Sequence, residues 1–165
     1  MCMIDIITVC FNSDIKLNRT LQSLEKQNKK VYNLTIIDGG STDDTIFVIA
    51  KFKNIVNRFV SEKDFGIYDA LNKGIRMTKS EIIGFIHADD EFSSNNILEL
   101  IDKQFKSKDV DVLYGDLVYV NSRNKVIRSW KSGKFSRRKL KFGWMPPHPT
   151  VFMKRSVYEK HGYLI

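Results

Sequence analysis

Four times between residues 3 and 105, a short run of β-branched and apolar residues gives way to a stretch whose apolar side chains recur at helical spacing. No other feature constrains the fold as strongly. Met3-Ile4-Asp5-Ile6-Ile7-Thr8-Val9 reads as a strand buried on both faces. Asn12-Ser13-Asp14 then supplies capping residues, and Ile15, Leu17, Leu21, Leu24 and Gln27 predict a helix over 14–29. The second cycle is a strand at 32–37, a turn at Asp38-Gly39-Gly40-Ser41, and a helix over 42–52 with Asp43 and Asp44 in its first turn. The third is a strand at 55–60 and a helix at 66–77. The fourth is a strand at 81–87 and a helix at 93–105 opened by Ser93-Ser94-Asn95. Strands alternating with such helices imply an α/β fold, an open and mostly parallel Rossmann-like sheet with right-handed crossovers and helices on its faces.

Beyond Asp111 the texture changes. Residues 112–120 and 125–130 straddle the polar turn Asn121-Ser122-Arg123-Asn124 and read as an antiparallel hairpin in the second half. A basic stretch, 131–141, leads into Met145-Pro146-Pro147-His148-Pro149, which cannot be regular structure. A short strand at 150–153 and a helix at 155–161 follow. At 165 residues, with no repeat and no low-complexity linker, the chain is expected to form one domain.

Composition narrows the classes. Hydrophobic residues at 42% and aromatics at 12% exclude disorder, and no run approaches the eighteen or so apolar residues of a membrane span. Met1-Cys2-Met3-Ile4-Asp5 has no basic segment before an apolar run, so no secretion signal is expected. Cys2 and Cys10 fall on one predicted strand, roughly 26 Å apart, far beyond the ~7 Å a disulfide allows. Free thiols suit a cytoplasmic protein. The net charge of +8 is unevenly placed: residues 1–116 hold fifteen bases against eighteen acids, whereas 117–158 hold eleven bases and no acid. A field of one sign points to an anionic partner, or serves as a solvated face.

In open parallel sheets, ligands bind in the crevice beyond the carboxyl ends of the strands. The polar residues there are 8–12, 38–41, 61–64 and 87–90, and three of these four sets carry a carboxylate. Asp89 and Asp90 are adjacent and would repel unless a cation sits beside them. Mg²⁺ or Mn²⁺ uses one or two such carboxylates, with diphosphate oxygens and water completing its shell. The same acids could instead cap the following helix. Asp38 could start an Asx turn, or accept the ring N–H of a uracil or guanine while the glycines let the base approach.

The motifs carry a family resemblance. Thr8-Val9-Cys10-Phe11-Asn12, Asp38-Gly39-Gly40-Ser41-Thr42-Asp43-Asp44-Thr45 and Ala88-Asp89-Asp90 resemble signatures of the family 2 glycosyltransferases of the GT-A fold. So does Ser61-Glu62-Lys63-Asp64-Phe65-Gly66-Ile67-Tyr68-Asp69-Ala70-Leu71-Asn72-Lys73-Gly74-Ile75. Tyr114-Gly115-Asp116 and Pro146-Pro147-His148-Pro149-Thr150-Val151-Phe152 are similar to the branch that decorates bacterial surface polysaccharides. The resemblance implies inverting, metal-dependent transfer of a sugar from a nucleotide-diphosphate sugar to a glycan or lipid-diphosphate-linked acceptor. It divides the chain into a nucleotide-sugar-binding half, 1–110, and the start of an acceptor-side half, 111–165. It implies donor contacts from Thr8, Cys10, Asn12, Asp38, Gly39, Asp69, Asn72, Ala88 and Asp89, and Mn²⁺ or Mg²⁺ on Asp89 and Asp90. Asp38 would hold the base. Lys73 reads as a surface lysine, and Tyr68 as site-facing. His148 would touch the acceptor or the phosphates, Trp144 would line the acceptor groove, and Trp130 would line it or, the reading its context favours, pack in the core.

One element of the family pattern is missing. Inversion needs a base to deprotonate the acceptor hydroxyl, and the family carries it beyond the Gly-Tyr-Leu segment, where this sequence stops at Gly162-Tyr163-Leu164-Ile165. After Asp116 the only acid is Glu159, on a predicted helix surface. The chain is therefore expected to be C-terminally truncated, and a donor-binding fragment without catalysis is an alternative. A nucleic-acid-binding module, suggested by the basic 123–155 region, is the competing class, but no nucleic-acid partner is expected. There is no Gly-x-Gly-x-x-Gly after the first strand and no P-loop. The basic half instead suits peripheral contact with an anionic membrane at its inner face.

Overall fold

The computed structural model describes residues 4–28 and 32–164, so the expectation for Cys2 lies outside the described residues. The elements run β1 (Ile4–Cys10), α1 (Asp14–Glu25), β2 (Tyr32–Asp38), α2 (Thr45–Lys51), β3 (Val56–Ser61), α3 (Ile67–Met77), β4 (Ile82–Phe85) and α4 (Ile97–Ser107). Then come β5 (Val112–Leu113), β6 (Leu117–Val120), β7 (Val126–Trp130), α5 (Arg137–Lys141), a 3₁₀ turn (His148–Thr150), β8 (Phe152–Lys154) and α6 (Arg155–His161). One six-stranded sheet has the order β3-β2-β1-β4-β8-β5, and β6 and β7 form a separate two-stranded sheet. β1 pairs in parallel with β2 and β4, and β2 with β3, while β8 runs antiparallel to both β4 and β5. This is the mostly parallel sheet expected, with its antiparallel hairpin.

All seven residues of β1 are buried, as a strand covered on both faces requires. Ile4, Ile6 and Cys10 face Leu17, Leu21 and Leu24 of α1, Val48 and Ile49 of α2, and Leu98 of α4. Ile7 and Val9 face the opposite layer, with Ala70, Leu71 and Ile75 of α3 and Tyr158 of α6. The second half of the chain closes the sheet through β8, whose Phe152 pairs with Gly84 and occupies the space beside it. A Cβ at that position would collide with the Phe152 ring, so β4 and β8 can approach only across a glycine.

Several boundaries differ from expectation, most of them for a physical reason. The predicted strand 112–120 breaks at Tyr114-Gly115-Asp116, so β5 joins the main sheet and only β6 joins the hairpin. There the Asp116 carboxylate accepts from Ser132 N at 2.9 Å, and the Gly115 carbonyl from Thr150 Oγ1 at 3.0 Å. Asp43 and Asp44 precede α2 rather than opening it, because Asp43 Oδ1 accepts from Thr45 N at 3.0 Å and holds a turn. α4 starts at Ile97, not Ser93: the buried Gln27 amide of the α1–β2 connection accepts from Leu98 N at 3.2 Å and donates to the Ser94 carbonyl at 2.9 Å. α1 ends at Glu25, four residues earlier than its apolar spacing predicts.

At the amino end of β1, the fully buried Asp5 ties five segments together. Its oxygens accept from Lys79 N at 2.6 Å, Ser80 N at 2.7 Å and Asn33 Nδ2 at 3.0 Å, with Arg58 and Arg155 each 3.7 Å away. Arg155 also donates to the Ser80 carbonyl at 3.0 Å and to Thr78 Oγ1 at 2.9 Å. Lys154 pairs with Asp109 at 3.3 Å and Asp111 at 3.1 Å. Two of the eleven bases of the basic half are thus neutralised by acids of the first half.

Candidate functional site

The crossover through α1 carries the chain from β1 to β2 on one side, and the crossover through α3 returns it to β4 on the other. The carboxyl ends of β1 and β4 are therefore where the sheet's winding reverses, the place a ligand binds in such sheets.

Asp38, the last residue of β2, is fully buried. One oxygen accepts from Gly40 N at 3.1 Å, Ser41 N at 2.9 Å and Ser61 Oγ at 2.7 Å. The other takes the Ser41 hydroxyl and lies 3.7 Å from Cys10 Sγ. These donors come from its own turn and the neighbouring strands, so the Asp38 carboxylate shapes the loop from beneath and does not face the crevice. Thr8 is also fully buried, its hydroxyl without a partner. The Cys10 thiol is buried and pushed well up, by burial first and by Asp38 second, so it stays protonated. Both lie under the site. Asn12 is exposed, in the left-handed region at φ 44°. Its N–H donates to Ser41 Oγ at 2.8 Å and its Oδ1 accepts from Thr42 N at 2.9 Å, which laces the first loop to the second.

Gly39 has a partner the sequence did not reveal. A Cβ there would stand 2.8 Å from Asp64 Oδ2 and 3.4 Å from the Phe11 ring. The absent side chain lets the Asp64 carboxylate press against the end of β2, while its other oxygen accepts from Gly66 N at 2.9 Å. Phe11 and Phe65 are exposed in these loops, and Tyr68 is exposed in the first turn of α3. A carboxylate that can accept a ring N–H, with exposed aromatic faces in the same loops, has the chemistry of a nucleobase site. The readable signal was a carboxylate two residues before a glycine, opposite a second glycine.

Asp69, in the first turn of α3, accepts from Phe65 N at 3.1 Å, and that bond, followed by Lys73, holds its carboxyl below the usual range. Lys73 bridges Glu62 at 2.9 Å and Asp69 at 3.4 Å. Asn72 donates to the Leu164 carbonyl at 2.8 Å and accepts from Leu164 N at 3.0 Å, so its amide clamps the 162–164 segment and is not turned to the crevice.

At the end of β4, Asp90 N donates to the His87 carbonyl at 2.9 Å, closing a turn in which Asp89 has φ 106°. A non-glycine residue there is strained, and such strain gathers at functional sites. Thr20 of α1 holds the turn: its hydroxyl accepts from Asp89 N at 3.1 Å and lies 3.3 Å from the His87 carbonyl. One turn earlier on the same helix, Lys16 pairs with Asp89 at 3.0 Å. Asp90 is half-buried; burial, joined by the Asp89 charge, raises its carboxyl above the usual range. Ala88 packs on the α1 side of the core. Among the described residues, no group of three or more His, Cys, Asp or Glu side chains gathers as a metal cluster. The Asp89–Asp90 pair fits a cation that completes its shell with substrate oxygens.

His87 and His148 stack beside this turn, ring centroids 5.8 Å apart, with Phe85 against His148 at 5.5 Å. Burial, then the proximity of His148, pushes His87 down to about 4, and burial lowers His148 too, so both rings are neutral near pH 7. Trp144 donates to the Ser132 carbonyl at 3.0 Å and meets Tyr114 edge-on at 5.9 Å, and Trp130 ends β7 opposite Leu117. Glu159 is exposed on α6.

A model of the family described as glycosyl transferase family 2 matches residues 5–162. Among curated relatives, a PGL/p-HBAD biosynthesis glycosyltransferase of Mycobacterium bovis is 26% identical over 164 residues, spanning 97% of this chain and 62% of the relative. The poly(ribitol-phosphate) beta-N-acetylglucosaminyltransferase TarP of Staphylococcus aureus is 36% identical over 95 residues, which is 54% of this chain and 29% of that protein. Among solved structures, S. aureus TarS 1-349 in complex with UDP-GlcNAc superposes with a TM-score of 0.75 at 19% identity, over 96% of this chain and 47% of that one. The mannosyltransferase PcManGT of Pyrobaculum calidifontis, in complex with GDP-Man and Mn²⁺, superposes with a TM-score of 0.75 at 15% identity, over 99% and 48%. The chain thus spans 62% of the first of these relatives and about half of each structure. The family model runs from the first strand to the end of α6, and the chain belongs to glycosyl transferase family 2, with the GT-A fold.

Proposed function

We propose that this chain binds a nucleotide-diphosphate sugar across the carboxyl ends of β2, β1 and β4 and serves its transfer, with inversion, to a glycan or lipid-diphosphate-linked acceptor. Residues 1–110 form the donor half and 111–165 the acceptor side. The observation that carries the reading is the pairing of two features at one sheet edge. Asp64 lies against Gly39 beside exposed aromatics, and the strained Asp89–Asp90 turn stands at the neighbouring end of β4. The first suits the base and the second the diphosphate. Of the donor contacts the motifs implied, Asn12, Gly39, Asp69, Ala88 and Asp89 border the crevice. Thr8, Cys10 and Asp38 support it from below, and Asp64 takes the place of Asp38 as acceptor of the base N–H.

Asp89 and Asp90 would hold Mn²⁺ or Mg²⁺, which when bound supplies Lewis-acid stabilisation of the departing diphosphate. Lys16 Nζ, 3.0 Å from Asp89, balances that carboxylate and would yield it to the cation. His148, neutral and exposed above Phe85, is placed to accept a hydrogen bond from the acceptor side. The protein would work in the cytoplasm at the inner face of a membrane. No helix among the described residues is long and apolar enough to cross one.

A thermal-shift screen of nucleoside diphosphates with and without Mn²⁺ tests this. A shift that grows with Mn²⁺, and loses its metal-dependent part in Asp90→Ala, is expected; a metal-independent shift in both proteins would overturn the metal assignment. Turnover of the bound donor separates a competent transferase from a donor-binding domain.

A further inference from the structure

The segment from Lys131 to Met145 is not absorbed by the donor site. It carries Lys131, Lys134, Arg137, Arg138, Lys139 and Lys141, all exposed, and no acid. Among them stand Phe135, Leu140, Phe142 and Met145, which are 60%, 44%, 80% and 65% exposed. Isolated exposed apolar residues are ordinary, but four within eleven positions, interleaved with bases, form a patch.

The patch is held on the body of the protein. At its base the buried Ser132 donates from its N–H to Asp116 at 2.9 Å, and Tyr114 donates to the Gly133 carbonyl at 3.1 Å. At its far end Trp144 donates back to the Ser132 carbonyl at 3.0 Å and meets the Phe135 ring edge-on at 6.3 Å. Gly133 and Gly143, at φ 68° and 83°, turn the chain out and back, so residues 134–142 project as a loop around α5. Ser136, Arg138, Lys139, Phe142 and Trp144 line a shallow, open groove of about 460 Å³ on this loop.

We propose that this loop is a docking surface for an anionic phospholipid bilayer, with Phe135, Leu140, Phe142 and Met145 entering the headgroup boundary and Arg138 and Lys139 taking lipid phosphate in the groove. The charge selects the partner: a protein or chain segment covering an apolar patch does not need six bases and no acid around it, whereas an anionic leaflet attracts every one of those bases and takes up exposed phenylalanine rings at its headgroup boundary. Three residues after Met145 the chain reaches His148, stacked on His87 beside the Asp89–Asp90 turn. A bilayer on the loop would present lipid-linked substrate beside that turn. This purpose rests on the function proposed above; the docking itself does not.

The test is co-sedimentation of the 165-residue chain, without nucleotide, with vesicles of phosphatidylcholine alone and of equal parts phosphatidylcholine and phosphatidylglycerol. Binding to the mixed vesicles that weakens with salt, and little binding to phosphatidylcholine, is expected. The pair Phe135→Ser and Phe142→Ser should lower that binding by about tenfold or more, and the triple Lys134→Gln, Arg138→Gln and Lys139→Gln by up to roughly a hundredfold at low salt. Both sets are exposed, and their nucleotide-induced thermal shift should match that of the parent chain. That second reading separates a failure of docking from a failure of donor binding. Equal binding to neutral vesicles, unchanged binding by either variant, or self-association in lipid-free solution that the phenylalanine variant abolishes would each overturn the proposal.

Discussion

The substitution Gly39→Ala tests the proposed base site directly. The new methyl would stand 2.8 Å from Asp64 Oδ2, so the carboxylate must withdraw by roughly 0.6 Å or more to reach an ordinary contact. Gly39 does not have a positive φ, so alanine strains no backbone there. If Asp64 accepts the ring N–H of the donor base, its displacement weakens a hydrogen bond to a charged group, about 1.5–3 kcal/mol, and raises Kd by about ten- to a hundredfold. Isothermal titration with uridine and guanosine diphosphate in Mn²⁺ measures this. The decisive arm is the cycle. Asp64→Ala should weaken binding by a similar factor, and Gly39→Ala on top of it should add nothing, because the methyl then meets no carboxylate. Losses that simply add, or full affinity in Gly39→Ala, would refute the reasoning. Urea midpoints unchanged across the series would show that no loss reflects unfolding.

Three further outcomes follow from the packing. Asp5→Asn leaves Arg58 and Arg155 without their buried counter-charge, so thermal unfolding should report a loss of about 3–5 kcal/mol, roughly 10 °C in Tm for a chain this size; a shift of a degree or two would dismiss the hub. Gly84→Ala drives a methyl into the Phe152 ring and should cost about 1–3 kcal/mol in urea unfolding, whereas Gly84→Ala with Phe152→Leu should recover part of it; no recovery would mean the collision is not the cause. Tyr32 and Tyr158 are raised by burial to about 12, Tyr32 also by Glu25. The unfolded chain ionises first above pH 10, so stability is lost as pH rises from 10 towards 12. Absorbance near 295 nm should show two tyrosines ionising only with unfolding, and Tyr32→Phe should flatten the slope; early titration of all six tyrosines would contradict the burial.

The strands and helices were legible because period and apolar content report burial directly. β1, hydrophobic at nearly every position, lies in the middle of the sheet as its composition demands. What was not legible depends on partners distant in sequence. Asp38, Gly39 and Asp64 stand within 26 residues, yet which carboxylate is buried and which lies open follows from how β2 and β3 register, Asp38 against Ser61. Asn72 matched a donor-binding motif, but its amide meets a backbone 92 residues away. The helix starts failed for a related reason. Ser93-Ser94-Asn95 has capping chemistry, and Gln27 from another element took the bond that sets the start of α4. The cation field over 117–158 was read as one patch, but a linear count cannot see Lys154 and Arg155 folding onto acids of the first half.

Two fully buried carboxylates, Asp5 and Asp38, stand at opposite ends of neighbouring strands, and their partners differ in kind. Asp5 is met by two arginines, an asparagine and two backbone N–H groups drawn from β2, β3, α6 and the turn before β4. Its charge is balanced by two arginines, each 3.7 Å away. Asp38 is met by neutral donors only: two N–H groups, two serine hydroxyls and a thiol. These satisfy its oxygens without cancelling its charge. At the same edge, Asp64 lies against the glycine next to Asp38, and Asp89 and Asp90 sit on a strained turn where the exposed Lys16 pairs with Asp89. At the carboxyl edge Asp38 is thus held by neutral donors and Asp89 pairs with the exposed Lys16 alone, whereas at the amino edge Asp5 lies within 3.7 Å of two arginines. An unbalanced negative rim attracts a divalent cation, and through it a diphosphate, so the donor's phosphates should dock at the Asp89–Asp90 end and its base at the Asp64 end. If metal-free nucleoside monophosphate bound as tightly as diphosphate with Mn²⁺, that polarity would be wrong.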